Sequence, residues 1–528
     1  MQELRGPARP GESVYRPDID GLRAIAVLLV VVFHFHLAFD SKSGFIGVDI
    51  FFVISGFLIT WIIREQVQAQ RFSLPTFWLR RLRRLAPALF VVLAAVTLYG
   101  AARLLQGDFK QLMQEVMATQ FYYANIYFWR NVNYFGLQAG NIFLLHTWSL
   151  SVEEQFYILY PIALLAALTA GRRAAPALVL AATLASFALN IAFVDSKPEA
   201  TFYLMPTRAW ELLLGALLTW APPVRRAWLS NLLGLAGVLL VSVALVAYNE
   251  STRFPGSFAL LPTLGALCLI HAGSRRDTFT VQALSARPLV YVGRLSYSLY
   301  LVHWPVNVFA SIELGEHYTQ GWRWTMLGLC LLLSSLLYHA VENPFRRGRL
   351  LARSRSFVAC YGAGLAASVA LCVVVFVTQG LPGRLPAEVA RLAAFAQDMP
   401  GDRCKEFTNK PGTFEQELCS LGAPDRPPEW LIYGDSHAWA AQGAIDQWLK
   451  NTGSAGRLAF LNSCPPIKDV FLYRGRATCQ ALNAQMLSLA AQDSHIKKVF
   501  LVSAWRQALE GKLGASPDAR PTPQESIA

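Results

Sequence analysis

Residues 19–38 read IDGLRAIAVLLVVVFHFHLA, a long and almost unbroken apolar run. The run can cross the hydrocarbon core of a bilayer, which takes about 20 residues, and it is too long for the core of a cleavable signal peptide. Similar runs recur as far as residue 380, and the 528 residues are 54% hydrophobic and 15% charged. Soluble proteins carry about 25% charged residues. The sequence therefore predicts an α-helical polytopic membrane protein.

Eleven segments are predicted to span the membrane. They are 19–38, 45–63, 84–102, 144–169, 174–194, 203–221, 230–249, 256–273, 289–311, 322–342 and 357–379. Residues 109–130 are also partly apolar, but they carry polar side chains such as Lys110 and Glu115 and end in a group of aromatic residues. This composition predicts a helix that lies in the membrane interface rather than a twelfth span.

Basic residues set the predicted orientation. With a cytoplasmic N-terminus, eighteen arginines fall in cytoplasmic loops and only six Lys or Arg residues fall in the opposite loops. Such an excess is typical of cytoplasmic loops, and a span at 109–130 would destroy it. We therefore expect a protein of the bacterial inner membrane, embedded in the lipid bilayer. The net charge of +13 comes without a basic face or an RNA-binding motif, so we expect no nucleic acid partner.

An odd number of spans places the C-terminal part of the chain on the extracytoplasmic side, and the composition shifts there to that of a soluble domain. We divide the chain into a membrane domain of ten helices (1–347), an eleventh helix (348–380), a linker (381–402), a small α/β domain (403–510) and a tail (511–528). The tail is polar and rich in proline, which predicts disorder.

The small domain contains four cysteines that form two pairs, each fifteen residues apart: Cys404 with Cys419, and Cys464 with Cys479. Extracytoplasmic compartments are oxidising, so four thiols in a soluble domain predict two disulfides. The sequence does not fix the connectivity. We expect each cysteine to bond to the nearer one in its pair.

Ionisable side chains inside predicted spans are costly and indicate function. Arg23 and His34 lie near opposite ends of the first span, about 16 Å apart and roughly on one face. Further polar groups in later spans are the candidate catalytic acids Asp49 and Glu153, and also Tyr297 and His303, which together with Arg23 are predicted to bind the substrate or donor. A histidine with a carboxylate partner commonly deprotonates a hydroxyl. The alternative is that each histidine only packs in the bundle with a satisfied hydrogen bond.

An arginine-rich segment, FWLRRLRRLAP at 77–87, lies on the predicted cytoplasmic face. The guanidinium group binds phosphate oxygens in a bidentate geometry. The segment therefore predicts a phosphate-rich donor on that face. The alternative is a segment that only fixes the orientation of its span.

Six stretches of the first 347 residues together resemble the acyltransferase-3 family of membrane acyltransferases. They are YRPDIDGLRAIAVLLVVVFHF, GFIGVDIFFVISGFLIT, FWLRRLRRLAPAL, HTWSLSVEEQFYILYP, LSYSLYLVHWPV and VENPFRR, in this order along residues 15–347. The resemblance implies acyl transfer from acetyl-CoA, a co-substrate, to sugar hydroxyls of lipopolysaccharide, peptidoglycan or other glycans. It implies no bound cofactor and no metal.

The resemblance also assigns residues. The Arg-x₁₀-His motif of the family falls on Arg23 and His34, and its acid in the fourth helix falls on Glu153. Its Arg-x-x-Arg motif falls on Arg81 and Arg84. A second pair with the same spacing, Arg80 and Arg83, overlaps it.

The small domain resembles the SGNH-type esterase domain that is fused to one branch of that family. The resemblance rests on EWLIYGDSHAWA at 429–440, in which an apolar strand leads through Gly-Asp-Ser-His into a helix. It implies that Ser436 is a nucleophile exposed by the turn, with Asp435 beside it and backbone N–H groups available to an oxyanion. The alternative is a turn in which Asp and Ser only cap the helix.

The small domain departs from the SGNH pattern in its catalytic base. SGNH enzymes take this base from an Asp-x-x-His block, and none follows Ser436. Asp493 and His495 have a different spacing, and His437 belongs to the turn of the nucleophile itself. Asn462 could contact an oxyanion, although a loop asparagine is more often a turn residue. We therefore predict a partial SGNH-like domain.

These observations predict a relay. The phosphates of acetyl-CoA bind near Arg81 and Arg84, and His34, oriented by Glu153 or Asp49, acts as the base or accepts the acyl group. The group then passes to a glycan or lipid-linked glycan, either directly or through Ser436. One alternative is a proton-coupled transporter or flippase of a lipid-linked glycan, in which buried His and Glu residues conduct protons. Another is an esterase or glycan-binding domain that is merely anchored by helices.

Overall fold

The computed structural model divides into two compact units, residues 1–384 and 385–528. The part of the chain that it describes comprises residues 15–37, 42–131, 142–171, 173–249, 251–390, 404–408, 410, 412–462, 464–467, 471–472, 477–505 and 513–514. Most of the predicted tail and just over half of the predicted linker lie outside these residues. Within the predicted tail, Leu513–Gly514 forms a short strand, so the prediction of disorder is wrong there.

Unit 1 is built from helices. In chain order they are α1 (Pro17–His34), α2 (Gly47–Gln68), α3 (Leu74–Arg103), α4 (Gln106–Gln120), α5 (Ala124–Asn131), α6 (Thr147–Ala170), α7 (Ala174–Phe193), α8 (Pro198–Tyr203), α9 (Met205–Leu218), α10 (Ala227–Ala247), α11 (Leu260–Ala272), α12 (Phe279–Leu284), α13 (Arg287–Leu314), α14 (Gln320–Leu337), α15 (Asn343–Arg346) and α16 (Ser354–Val377).

Six helical segments within the described residues are long and apolar enough to cross a membrane. They are Gly44–Gln68, Leu74–Arg103, Ala174–Phe193, Ala227–Ala247, Gln320–Arg346 and Ser354–Val377. The other predicted spans coincide with α1, α6, α9, α11 and α13, which are shorter or carry more polar side chains. The chain is thus a multi-pass membrane protein.

The close contact between α2 and α9 depends on two glycines. A Cβ atom on Gly56 would collide with the carbonyl oxygen of Leu212, and one on Gly215 would collide with that of Val53. Small residues let membrane helices approach closely and gain van der Waals contact. This approach brings the polar side chains near the start of each helix together.

Three predicted boundaries are wrong. Helix α1 ends at His34, so His36 lies beyond it, exposed and with a φ of 47°. Helix α3 begins at Leu74, ten residues earlier than predicted, because Pro75 is favoured in the first turn of a helix. The segment 109–130 is not one helix, since α4 ends at Gln120 and α5 begins at Ala124.

Unit 2 contains a four-stranded sheet with the order β1 (Cys419–Gly422), β3 (Ala455–Phe460), β2 (Trp430–Gly434) and β5 (Lys498–Val502). Strand β2 pairs in parallel with both β3 and β5, and β1 is antiparallel to β3. A separate pair joins β4 (Phe471–Leu472) to β6 (Leu513–Gly514). The carboxyl ends of β2, β3 and β5 therefore lie at one edge of the sheet.

Helices cover both faces of this sheet. Successive side chains of a strand point to opposite faces, so β2 contributes to an apolar cluster on each face. Leu431 and Tyr433 pack in one apolar cluster with residues of the helix Ala477–Gln492. Ile432 packs in a second cluster with residues of the helix Ser436–Asn451. Unit 2 is thus a small α/β domain.

Unit 2 contains two disulfides. Cys404 is bonded to Cys419 at the start of β1, and Cys464 is bonded to Cys479 in the helix Ala477–Gln492. Each bond joins residues fifteen positions apart, as expected from the spacing of the cysteines.

Candidate active site

A cavity opens in unit 1 between α1, α2, α3, α6 and α13. Its volume is about 120 Å³. The polar side chains that line it are Arg23, Ser55, Arg81, Arg84, Ser149, Glu153, Tyr157, Ser296, Tyr297 and Tyr300. Four helices that are distant in sequence thus supply a charged group or a tyrosine to one space.

Three arginines give this cavity its positive charge. The guanidinium of Arg81 lies 3.4 Å from the ring centre of Tyr157, and its Nη2 lies 3.4 Å from Glu154 Oε1. Arg84 lies beside Arg23, and its Nε has no hydrogen-bond partner among the described residues. A buried guanidinium that is not fully bonded can bind an anion.

The second Arg-x-x-Arg pair is placed differently. Arg80 is exposed, and Arg83 donates to the carbonyl oxygens of Leu351 and Ala352 at 2.9 and 3.0 Å. Arg83 therefore ties α3 to the segment that precedes α16. Of the two overlapping pairs, only Arg81 and Arg84 line the cavity.

Glu153 faces the cavity and Glu154 does not. The hydroxyl of Ser55 donates to Glu153 Oε1 at 2.9 Å, and that of Tyr157 donates to Oε2 at 3.4 Å. The two glutamates are adjacent on α6, and their side chains point about 100° apart. Glu154 therefore points away from the cavity and forms an ion pair with Arg81. The helix geometry explains why only one acid reaches the cavity.

The far end of the cavity is formed by Ser149 and Tyr300. Their hydroxyl oxygens lie 2.6 Å apart, and the Tyr300 hydroxyl donates to the carbonyl oxygen of His146 at 2.8 Å. The backbone oxygen of Tyr300 lies 2.8 Å from His303 Nδ1. Tyr300 therefore joins the cavity to the histidine beyond it.

His303 and His34 form a buried pair of imidazoles. His34 Nδ1 lies 2.9 Å from His303 Nε2. Because a backbone oxygen only accepts, His303 Nδ1 carries the proton that it donates to Tyr300, and in a neutral ring its Nε2 must accept. His34 therefore donates from Nδ1, which leaves its Nε2 as the basic atom. The geometry thus fixes a tautomer of His34 that suits a general base.

His34 lies next to the cavity rather than in its lining. It packs edge-on against Trp304, with ring centres 4.5 Å apart, and 7% of its surface is exposed. The expectation that Glu153 or Asp49 orients this imidazole is wrong, because neither carboxylate is bonded to it. His303 holds the ring instead.

Asp49 belongs to a different cluster. Arg208 of α9 donates from Nη2 to Asp49 Oδ1 at 2.9 Å and to Glu211 Oε2 at 3.0 Å, and all three side chains are buried. The guanidinium also lies within 5.8 Å of the ring centres of four aromatic residues. The cluster fastens α2 to α9 and does not line the cavity.

Several of these residues were not predicted from the sequence. Arg208, Glu211 and His146 are ionisable residues inside predicted spans, which is itself a signal of function or pairing. Tyr300 has no such signal, since only the fold brings it beside His303. Tyr297, predicted to bind the donor, lines the cavity and donates to the carbonyl oxygen of Leu85 at 2.8 Å.

In unit 2, Ser436 begins a helix at the carboxyl end of β2. Asp435 caps this helix, since its Oδ1 accepts from the backbone N–H of His437 at 2.8 Å. Its Oδ2 accepts from Ser503 Oγ and from the Ala504 N–H, both at 2.8 Å. The Asp435 carboxylate therefore joins the nucleophile turn to the end of β5, a contact that the sequence did not predict.

No imidazole within the described part of the chain is hydrogen-bonded to Ser436. His437 donates from Nδ1 to Asp435 Oδ1 at 3.0 Å. His495 binds Asp493, and hydrogen bonds from the backbone and ring of His495 hold the pKa of Asp493 below its usual range. Asn462 follows β3 at the same edge of the sheet as Ser436, and its N–H donates to Glu406 Oε1 at 2.9 Å.

Residues 16–340 match the family described as "Acyltransferase domain", which is more than half of the chain. This chain belongs to the acyltransferase domain family. Residues 403–527 match the "SGNH domain (fused to AT3 domains)", so an acyltransferase domain and an SGNH domain are fused here. His34 and the three cavity arginines lie in the acyltransferase domain, and Ser436 lies in the SGNH domain.

Curated relatives of the acyltransferase domain family resemble much of this chain. The peptidoglycan O-acetyltransferase OatA of Listeria monocytogenes is 31% identical over 363 residues, which are 65% of this chain and 58% of that protein. The O-acetyltransferase OatA of Staphylococcus aureus is 32% identical over 360 residues, 63% of this chain and 57% of that protein. The chain thus spans less than two thirds of the length of these relatives. No solved structure matches it.

Proposed function

We propose that this chain is a membrane O-acyltransferase that moves an acetyl group from cytoplasmic acetyl-CoA to a hydroxyl of an extracytoplasmic cell-wall glycan. One observation carries the proposal. The cavity that three arginines line ends at Tyr300, whose backbone oxygen orients the pair His303 and His34. The helix bundle of unit 1 therefore connects an anion site, formed by the arginines, to a base, His34.

The donor binds at the arginine end. Glu154 pairs with Arg81 and Asp20 pairs with Arg23, whereas Arg84 has no ion-pair partner among the described residues. The guanidinium of Arg84 therefore suits a phosphate of acyl-CoA, which a guanidinium fork binds directionally. The thioester then extends along the cavity toward Ser149 and Tyr300. Acyl-CoA is a co-substrate and leaves as CoA, so the reaction needs no bound cofactor.

His34 lies at the end of α1 that is opposite to Arg23, and there it acts as the general base. Its Nε2 takes the proton from the acceptor hydroxyl as the hydroxyl oxygen attacks the carbonyl carbon of the thioester. The C–S bond breaks, and the thiolate of CoA recovers the proton. His303 accepts the hydrogen bond from His34 Nδ1 throughout and stabilises the imidazolium in the intermediate state. A neutral imidazole costs less to bury there than a carboxylate.

The proposed topology has eleven crossings, a cytoplasmic N-terminus and an extracytoplasmic unit 2, in the bacterial inner membrane. Its support is the coincidence of each predicted span with a helix and the concentration of arginines in alternate loops. In this topology the arginines of the cavity are near the cytoplasm and His34 is near the outer face.

The acceptor is proposed to be a cell-wall glycan, on the strength of a relative whose name states that it acetylates peptidoglycan. A lipopolysaccharide O-antigen is the other acceptor that the family resemblance suggests. Transfer through Ser436, which would receive the acetyl group before the glycan does, is the alternative to direct transfer from acetyl-CoA. The position of Ser436 at the start of a helix supports this role, since backbone N–H groups there can stabilise an oxyanion.

The test uses inverted membrane vesicles that contain the full chain. Acetyl-CoA labelled in its acetyl group is supplied to the cytoplasmic face, and label in the luminal glycan is measured by mass spectrometry. We expect one acetyl mass per modified sugar, and none from vesicles that lack the chain. Movement of a lipid-linked glycan without acetylation would contradict the proposal and support a flippase.

A further inference from the structure

A second cavity lies at the end of unit 1 where α1, α3 and α13 end. Its volume is about 740 Å³. Most of its polar lining comes from α4 and α5, and the side chains that matter for its chemistry are Asp108, Lys110, Gln111, Gln114, Glu115 and Tyr127. The mechanism proposed above uses none of them.

The charge of this cavity differs from that of the arginine cavity. It contains two carboxylates and one amine, with the amides of Gln111, Gln114 and Asn131 and one tyrosine between them. Such a lining does not suit a phosphate, which prefers several guanidinium groups. Amides and carboxylates instead match ligands that carry many hydroxyl groups, because each hydroxyl both donates and accepts. Tyr127 adds apolar ring surface for one face of such a ligand, and Phe128 packs in the apolar core without exposed surface.

The side-chain amides of Gln111 and Gln114 are oriented by neighbouring residues. Glu115 is fully buried, and its Oε1 accepts from Gln111 Nε2 at 3.2 Å, while its Oε2 accepts from the Leu144 N–H at 3.0 Å. The Tyr127 hydroxyl donates to Gln114 Oε1 at 3.0 Å. Gln111 therefore keeps an acceptor oxygen for a ligand, and Gln114 keeps donor hydrogens.

These two amides make a matched pair. Residues three positions apart on a helix are neighbours on its surface, so a free acceptor and a free donor stand side by side. Two adjacent hydroxyls of a sugar ring present the complementary arrangement. The cavity is thus organised in advance for a vicinal diol.

Two residues separate the cavity from His34. Ile142 lines the cavity, and its carbonyl oxygen accepts from Trp304 Nε1 at 2.7 Å. The Trp304 ring packs edge-on against the imidazole of His34, with centres 4.5 Å apart. The Ile142 backbone and the Trp304 ring therefore stand between the cavity and the imidazole, so a glycan held in the cavity lies on the His34 side of unit 1.

We propose that this cavity is the acceptor subsite and binds a sugar ring of a hydroxyl-rich, uncharged glycan segment through Gln111 and Gln114. The identification of the glycan as the acceptor rests on the proposed acyltransferase function. The claim that the cavity binds a sugar does not rest on that function, so each of the two claims can be refuted without the other.

The first test is photo-crosslinking in whole cells. Gln111 is replaced by p-benzoylphenylalanine in the full chain, and after irradiation the adducts are identified by mass spectrometry. The control places the same residue at Ser196, which is exposed in another loop. Sugar-containing adducts at 111 and none at 196 are expected. Adducts that contain only lipid or protein, or equal sugar adducts at both positions, would overturn the proposal.

The second test separates binding from folding. The double variant Gln111→Ala, Gln114→Ala is assayed with acetyl-CoA and an N-acetylglucosamine tetrasaccharide, beside Gln68→Ala at the exposed end of α2. The KM for the tetrasaccharide should rise at least tenfold in the double variant, while the KM for acetyl-CoA stays within twofold. An unchanged tetrasaccharide KM, or an equal rise in both, refutes the subsite. A wild-type chain that acetylates no glycan yet crosslinks to one refutes only the acyltransferase function.

Discussion

His34 in unit 1 and Ser436 in unit 2 are both candidate catalytic side chains at the end of a helix, but their surroundings differ. His34 Nδ1 is bonded to His303, which is bonded in turn to the backbone of Tyr300. Beside Ser436, the Asp435 carboxylate is occupied by contacts to His437 and to the residues after β5. The described residues provide no bonded base for Ser436.

This difference shows where proton transfer is organised in advance. A general base needs a defined tautomer and a fixed ring, and His34 has both. Ser436 has the exposed turn and the helix N-terminus, but a serine hydroxyl needs an adjacent base to become a nucleophile. We therefore expect the membrane unit to carry the larger share of the chemistry. The predictions below test that ranking.

The largest effect is expected for His34→Ala. Loss of a positioned general base typically costs 10²–10⁴ in rate, so acetyl transfer should fall at least about 100-fold. His36→Ala is the matched control, because His36 is exposed and lies beyond the end of α1. Its activity should stay within about twofold of wild type. Label incorporated into glycan is measured at equal amounts of folded protein, and substantial activity in His34→Ala would reverse the comparison.

The next effect concerns His303, a positioning residue. In His303→Ala the kcat should fall about 10- to 100-fold, since one hydrogen bond to a group that becomes charged is worth about 1.5–3 kcal/mol. The KM for acetyl-CoA should stay within about twofold, because binding does not use that bond. His303→Gln supplies a carbonyl oxygen as acceptor and should recover part of the lost kcat. Equal losses in both variants would indicate a packing role alone.

A smaller effect is expected for Arg84→Ala. The KM for acetyl-CoA should rise about tenfold, the size expected for one charge-assisted hydrogen bond. Acetyl-pantetheine lacks the phosphates, so with this donor the variant and wild type should have the same KM. The matched control is Arg80→Ala, since Arg80 is exposed outside the cavity. An equal penalty with both donors would exclude phosphate binding by Arg84.

The smallest effect is expected for Ser436→Ala. Because no base is bonded to this hydroxyl among the described residues, total acetyl transfer should fall less than about threefold, close to a surface substitution. Intact-mass measurement after a short reaction should find little acetyl on Ser436. A loss above about tenfold, together with a trapped acetyl-serine in wild type, would instead place an obligatory step in unit 2.

The sequence predicted the features that depend on local pattern. The length of the apolar runs located the membrane helices. The strand, turn and helix around Ser436 could be predicted because they are consecutive in the sequence. The start of α3 was missed although Pro75 is a known signal for a helix start. The disulfides agree with the expectation that each cysteine bonds to the nearer one, although the sequence left other pairings open.

The contacts of the site could not be predicted in the same way. His34 and His303 are 269 positions apart, and Asp49 and Arg208 are 159 apart. Only the packing of α1 on α13 and of α2 on α9 decides these partners. Asp49 and His34 are predicted to lie at a similar depth in the membrane, but this depth does not determine which group the Asp49 carboxylate contacts.

The ion pair of Asp49 with Arg208 has a consequence for biosynthesis. The two residues are 159 positions apart, and at roughly 5–20 residues per second the ribosome needs about 8–32 s to make that length. Asp49 must therefore enter the membrane well before its partner exists. Asp49 lies in the first turn of α2, so the cost of about 2.5–3.5 kcal/mol that insertion scales give for a charge at the centre of a span is an upper limit for it. The strongly apolar remainder of α2 offsets this cost. Until α9 arrives, the nascent chain carries an unmatched acid that insertion factors or membrane proteases can recognise.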